Sequence, residues 1–336
     1  MCGRAEGAVP GLSGSALRRA NLRALMPIAL LAMLSTLARG DEPRAFEPGR
    51  LERVEALADP MLKGEIATYY TPGYERRAKA LQRLLSGELR FSRRELHCGP
   101  PLTLAVLDKE QWGRAERQLP YPMPSVDGDP PVVLMPANWG EAEAFFPKRA
   151  SASDRVIQAI GAHGLTWQEA NHRAGDTIGG HEVGHAVIKA CGVVAGTRWM
   201  NELLASYVLY AYLQRERGDL LWLVDDVLAG TDAGPPQQHV SLDDFESMYM
   251  QLLASEGANY DWYQREFLRQ VKRVYKHQGI GFLRKVRTAF AGAQYEFAAL
   301  GNAETLRRLD AIDPGFSAWA AALASLPRAP RLSTAQ

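Results

Sequence analysis

The run His181-Glu182-Val183-Gly184-His185 constrains this 336-residue chain more than any other feature. Residues four apart on a helix stand one above the other, so a helix through this run points two imidazoles at one place. A single divalent ion, zinc above all, can bridge two such rings. Glu182 then lies beside the ion rather than on it, placed to take a proton from a bound water.

Two histidines do not complete a zinc site; a third protein ligand is needed, with the fourth position left to water. Residues 186–201, sixteen in number, separate His185 from Glu202. The stretch that begins at Asn201 reads as a helix, with Leu203, Leu204, Tyr207, Val208 and Ala211 at helical spacing and Asn201 as its N-cap. Gly192 and Gly196 end the first helix and turn the chain. Such a helix–loop–helix hairpin returns Glu202 to the two histidines. The predicted metal ligands are His181, His185 and Glu202, around one Zn2+ ion.

The segment Trp199-Met-Asn-Glu-Leu-Leu-Ala-Ser-Tyr207 resembles the Trp-Leu-Asn-Glu-Gly-Phe-Ala-Ser-Tyr segment of the aminopeptidase N-type gluzincin metallopeptidases. Trp199, Asn201, Glu202, Ala205, Ser206 and Tyr207 match in place. The likeness extends over roughly residues 70–290 in element order and is specific at 177–207. It implies an α+β, thermolysin-like zincin domain, with a small mixed-sheet lobe over about 60–190 and a mostly helical lobe over about 191–326.

The departures from that family narrow the expectation. The spacer between His185 and Glu202 is slightly shorter than usual. No Gly-x-Met-Glu-Asn segment is present, so the family's device for holding a substrate's free amino terminus is missing and an endopeptidase fits at least as well. Ser206 follows Glu202 by four, where thermolysin-like enzymes carry an Asp that orients a ligand histidine, so this outer contact is expected to be built differently. A metzincin fits poorly, because Ile188 stands where that family needs Gly and no third His follows at its spacing.

Gluzincins of this type stabilise the oxyanion with a tyrosine hydroxyl from a later helix. The segment Asn259-Tyr260-Asp-Trp-Tyr263, in a helix stopped by Gly279, is similar to the family's Tyr-x-x-Gly helix. The resemblance assigns the role to Tyr260, with Tyr263 at the family's Gly position and core packing as the alternative for both. Glu182 is the expected general base. An extended peptide could dock on a sheet edge. Val132-Val-Leu-Met135, between Pro131 and Pro136, is the candidate edge strand, with an ordinary core strand as the alternative.

Arg18, Arg19 and Arg23 precede an apolar run from Ala24 to Ala38, broken only by Pro27, Ser35 and Thr36. Fifteen residues are too few to span a bilayer comfortably, and Ala38-Arg-Gly40 offers the small residues a signal peptidase reads. Residues 1–40 read as an export signal, which places the mature chain in the periplasm or outside the cell with no stable membrane span; an uncleaved membrane anchor is the alternative. The arginine pair leaves both the general secretory and the twin-arginine routes open. Loss of this leader removes five basic residues and Glu6, and shifts the net charge from +1 to −3. No basic stripe with interleaved aromatics suggests a nucleic-acid surface. Cys98 and Cys191 remain and could pair in an oxidising compartment, while Cys191 also suits a small buried residue.

The rest reads as ordinary globular protein, with 46% hydrophobic and 23% charged residues. Residues 74–86 form an amphipathic helix; Leu102–Leu107 and Val132–Met135 read as strands. Residues 137–175 read as a largely helical insertion, with a capping box at Thr166 and Glu169. Ser241 and Asp244 open another helix in the same way, and the chain is almost wholly helical from there to residue 325. A loose tail is expected from Pro327. His97, His163, His172, His239 and His277 have no ligand spacing.

An exported zinc metallopeptidase acting on a peptide or protein substrate is the leading expectation. A zinc hydrolase of a cell-envelope amide and a non-catalytic envelope-binding protein are the alternatives. Oligomeric state leaves no mark in the sequence.

Overall fold

A short apolar run tied between prolines forms an interior strand of a five-stranded sheet. The computed structural model describes residues 49–57, 61–140, 146, 148–193, 195–229, 237–291 and 300–329. The predicted leader, residues 1–40, lies outside them.

The strands are β1 (Met61–Leu62), β2 (Ala67–Tyr70), β3 (Thr103–Leu107), β4 (Ser125–Asp127) and β5 (Val132–Pro136), in the order β1-β2-β3-β5-β4. β2, β3 and β5 run parallel, while β1 and β4 pair antiparallel at the two edges. The candidate edge strand is therefore corrected. Val132–Pro136 pairs on both sides, with β3 (Leu104 opposite Val133) and with β4 (Val126 opposite Val133). All five of its residues are buried, as a strand covered on both faces requires. The edge nearest it is β4.

Alternate residues of β3 and β5 face two apolar clusters. Ala105, Leu107, Val132 and Leu134 pack with Val54 of α1 (Arg50–Leu57) and with Trp112 and Ala115 of α3 (Lys109–Ala115). Leu104, Val106, Val133 and Met135 join the main core, which includes Leu81, Leu85 and Leu89 of α2 (Glu75–Leu96). Arg50, buried on α1, pairs with buried Glu116 and donates to Ser125 Oγ at 3.2 Å, which ties α1 to the β4 edge.

The capping box at Thr166 and Glu169 is present, and the helix it opens is the histidine-bearing one, α5 (Trp167–Ala190). Before it lie a 3-10 turn at Arg149–Ser151 and α4 (Asp154–Ala162). The predicted insertion therefore ends at the start of α5 rather than inside it. Gly192, with φ 64°, closes α5 at its C-terminal end.

α6 (Arg198–Glu216) follows after a short turn and is buried along Leu203–Leu213, as a helix apolar all round must be. Its N-cap is Thr197, whose hydroxyl accepts the Met200 N–H at 3.4 Å. Asn201, expected at the cap, lies inside the helix. α7 (Gly218–Trp222) runs into a π-helical turn, Leu223–Leu228. Then come α8 (Leu242–Ser255), with the predicted Ser241–Asp244 capping box, and α9 (Gly257–Gln278). The last three are α10 (Gly281–Ala289), α11 (Gly301–Asp310) and α12 (Phe316–Ala324). The expected α+β class, with a small mixed sheet and a helical second half, is the observed one.

Cys98 and Cys191 are disulfide-bonded, with their Cα atoms 5.3 Å apart. Cys191 is thus both buried and paired. Among the described residues no helix is long and apolar enough to cross a membrane. The expected tail from Pro327 is corrected at its start: Arg328 pairs with Asp244 at 2.9 Å and Ala329 N–H donates to Gln237 O at 2.9 Å. Residues 330–336 lie outside the described ones.

Candidate metal centre

α5 and α6 cross at Gly184 and Ala205. A Cβ placed on Gly184 would lie 2.5 Å from Ala205 O and 2.9 Å from its Cα, so only glycine permits this approach. The close crossing brings Glu202 on α6 to His181 and His185 on α5. The ligand atoms converge: His185 Nε2 lies 3.0 Å from His181 Nε2, His181 Nε2 lies 3.1 Å from Glu202 Oε2, and His185 Nε2 lies 3.6 Å from the same oxygen. In a four-coordinate divalent ion with donors at about 2.0–2.1 Å, neighbouring donor atoms stand about 3.3 Å apart. The observed triangle brackets that value, and the group can hold a metal ion.

A histidine that binds through Nε2 carries its proton on Nδ1 and needs an acceptor there. His181 Nδ1 lies 3.0 Å from Ser206 Oγ, and His185 Nδ1 lies 3.0 Å from the side-chain amide of Asn201. The amide nitrogen Nδ2 faces the ring there; turned over about its last bond, the amide would present Oδ1 to accept the His185 ring N–H. Ser206 thus occupies the orienting position expected for an Asp and fills it with a hydroxyl. The remaining residues of the segment anchor α6. Trp199 Nε1 donates to Asn302 Oδ1 at 2.7 Å, and Tyr207 Oη donates to Gly279 O at 2.7 Å.

Glu182 and Glu202 are both buried carboxyls, yet their environments push them apart. Burial drives Glu182 up, with the two histidines working against the shift. Burial also opposes charge on Glu202, but His185 and His181 pull it well below the usual carboxylate range. His185 is raised to about 9: burial disfavours its charge, and Glu202 followed by Glu182 outweighs the burial. The metal-free centre therefore holds a charged carboxylate against a protonated ring.

Tyr260 reaches this cluster, its hydroxyl donating to Glu202 Oε2 at 3.3 Å. Tyr263 does not: it is fully buried and donates to Ser241 O at 2.7 Å, a packing role. Two further residues on Glu202 carry no sequence signal of ligand spacing. Tyr249 Oη donates to Oε1 at 2.9 Å, and Gln264 Nε2 donates to Oε2 at 2.9 Å.

The other histidines stand apart from the ligand group. His172 is nine residues before His181 on the same helix, about 13 Å along its axis, with its ring 5.9 Å from Phe146. His163 stacks on Trp222, and His239 and His277 pair with Glu256 and Asp313. His97 is the left-handed C-cap of α2. A cavity of about 480 Å³ beside the disulfide, lined by Leu96, Val187, Val208 and Arg287 among others, contains none of the three ligands.

Comparison with protein families, with curated proteins and with solved structures finds no match to this chain.

Proposed function

We propose that the chain is an exported, zinc-dependent metallopeptidase of gluzincin type, with a thermolysin-like catalytic domain. The observation that carries this reading is the convergence of His181, His185 and Glu202 at zinc-like separations, with each ring held from Nδ1 and buried Glu182 beside them.

His181 Nε2, His185 Nε2 and Glu202 Oε2 would hold the ion. When bound there, zinc lowers the pKa of water towards about 7 and polarises a carbonyl oxygen. Glu182, neighbour of His181 on α5, accepts the proton of the attacking water. Its burial raises its proton affinity, which suits a base that must next return the proton to the leaving amine. Tyr260, kept as a phenol because burial and Glu202 both oppose its ionisation, donates its hydroxyl to the substrate oxygen as negative charge builds there. The antiparallel β4 edge, Ser125–Asp127, offers main-chain groups to an extended peptide, the part first expected of Val132–Met135. The Cys98–Cys191 bond supports a mature chain in an oxidising compartment.

The test is zinc content together with cleavage of a broad peptide library by the parent and by Glu182→Gln. Stoichiometric zinc in both, with cleavage reduced about 10²–10⁴-fold in the variant, is expected. A parent without metal would sink the proposal. Equal activity in the two proteins would overturn Glu182 as the base, none in either would favour a binding protein that retains the fold, and activity on envelope amides alone would redirect the substrate class.

A further inference from the structure

Both oxygens of Glu202 are engaged by donors from outside the α5–α6 pair. Tyr249 of α8 donates to Oε1, while Gln264 and Tyr260 of α9 donate to Oε2. The two oxygens have different surroundings. Oε2 is turned to both histidines, at 3.1 Å and 3.6 Å, whereas Oε1 meets the phenol. A carboxylate that can turn about its last bond binds a divalent ion through one oxygen or two, and the second oxygen takes the position a water needs.

We propose that Tyr249 is a positioning residue that holds Glu202 to one-oxygen coordination, with Oε2 toward the metal and Oε1 on the phenol. The inference rests on the metal site of the proposed function and adds a residue that neither the motif nor the resemblance contains.

The Tyr249 ring is itself fixed. Phe245 meets it edge-on with centroids 5.4 Å apart, and the Arg198 guanidinium lies 5.3 Å from its centroid. Gln264 Nε2 donates to the oxygen turned to the histidines, Oε2. Tyr260, at 3.3 Å the longest of the three contacts, can then leave Oε2 for a substrate oxygen while Gln264 and Tyr249 keep the ligand in place.

The test compares the full chain with Tyr249→Phe, which keeps the ring and removes only the hydroxyl. Zinc affinity is measured against a chromophoric chelator, the visible spectrum is recorded with cobalt(II) in place of zinc, and the unfolding midpoint is taken without metal. The expected result is an affinity about 10–100-fold lower, with weaker cobalt bands as the ion gains a fifth donor and a metal-free form that still unfolds cooperatively, its midpoint lowered by the lost hydrogen bond to a buried carboxylate. Parent-like affinity and parent-like bands in the variant would overturn the inference. So would a variant whose metal-free form is already unfolded, since Tyr249 would then be a packing residue. A parent that binds neither zinc nor cobalt fails at an earlier point, the metal site itself.

Discussion

Gly184 lies against the backbone of Ala205, so close that a methyl group on it would meet Ala205 O at 2.5 Å. The contact is with main chain, which no side-chain rotation relieves. Gly184→Ala is expected to push α6 from α5, cost about 1–3 kcal/mol as overpacking does, and abolish stoichiometric metal binding. Because the clash is with backbone, adding Ala205→Gly does not rescue it. Metal content of the single and double variants checks both statements.

Ser206 and Asn201 each meet one ligand ring at Nδ1. Ser206→Ala and Asn201→Ala should each lower metal affinity about 10–100-fold while leaving the donor atoms themselves intact. Chelator competition measures this directly. Affinities equal to the parent's would mean that the rings are oriented by packing alone.

In the metal-free protein His185 keeps its proton up to about pH 9. An ion at Nε2 must displace that proton, so apparent metal affinity weakens as pH falls below this value, about tenfold per unit for a single exchanged proton. Metal-free stability runs the other way. The native pKa is raised above the unfolded value, so the contribution is complete below about 6.5 and is lost as pH rises through about 9. Chelator competition and metal-free thermal unfolding, each between pH 6 and pH 10, read the two slopes.

The Cys98–Cys191 bond joins residues 93 apart and pins the end of α5 to the segment that follows α2. Cys98→Ser with Cys191→Ser, or reduction of the parent, should cost about 2–5 kcal/mol in urea unfolding. A loss of less than about 0.5 kcal/mol would show that packing alone holds that end of α5.

Glu88 of α2 is buried, and its Oε1 has no hydrogen-bond partner. It faces Gly180 of α5, and burial pushes it well above the usual carboxylate range. The native state therefore holds a proton that the unfolded chain has already released, so stability falls as pH rises above about 4.3. Glu88→Gln should remove that slope, with a gain at pH 8 and little change at pH 4. Urea unfolding at the two pH values decides it.

The ligand triad was legible because helical spacing alone sets His181 over His185, and a short hairpin is the only local route back to them. The segment from Trp199 to Tyr207 was also legible as a pattern, and the structure supplies reasons for it. Glu202 faces the histidines, Asn201 and Ser206 hold their rings, Ala205 meets Gly184, and Trp199 and Tyr207 anchor the helix. Asn201 was misplaced at the cap because Asn suits that position equally well, while Thr197 took it four residues earlier. The edge strand was misjudged because prolines flank it, although five consecutive buried residues mark a strand covered on both sides. Tyr249 and Gln264 stayed invisible for a different reason. They lie 47 and 62 residues from Glu202, on amphipathic helices where such side chains ordinarily serve packing.

α6 carries one ligand and both of the groups that hold the other two rings, within the six residues from Asn201 to Ser206. A slide of that helix by a single residue would strip the centre of its carboxylate and leave both imidazoles unsupported in the same movement. No half-built arrangement lies between, so loss of cation binding and loss of helix registry should occur as one event.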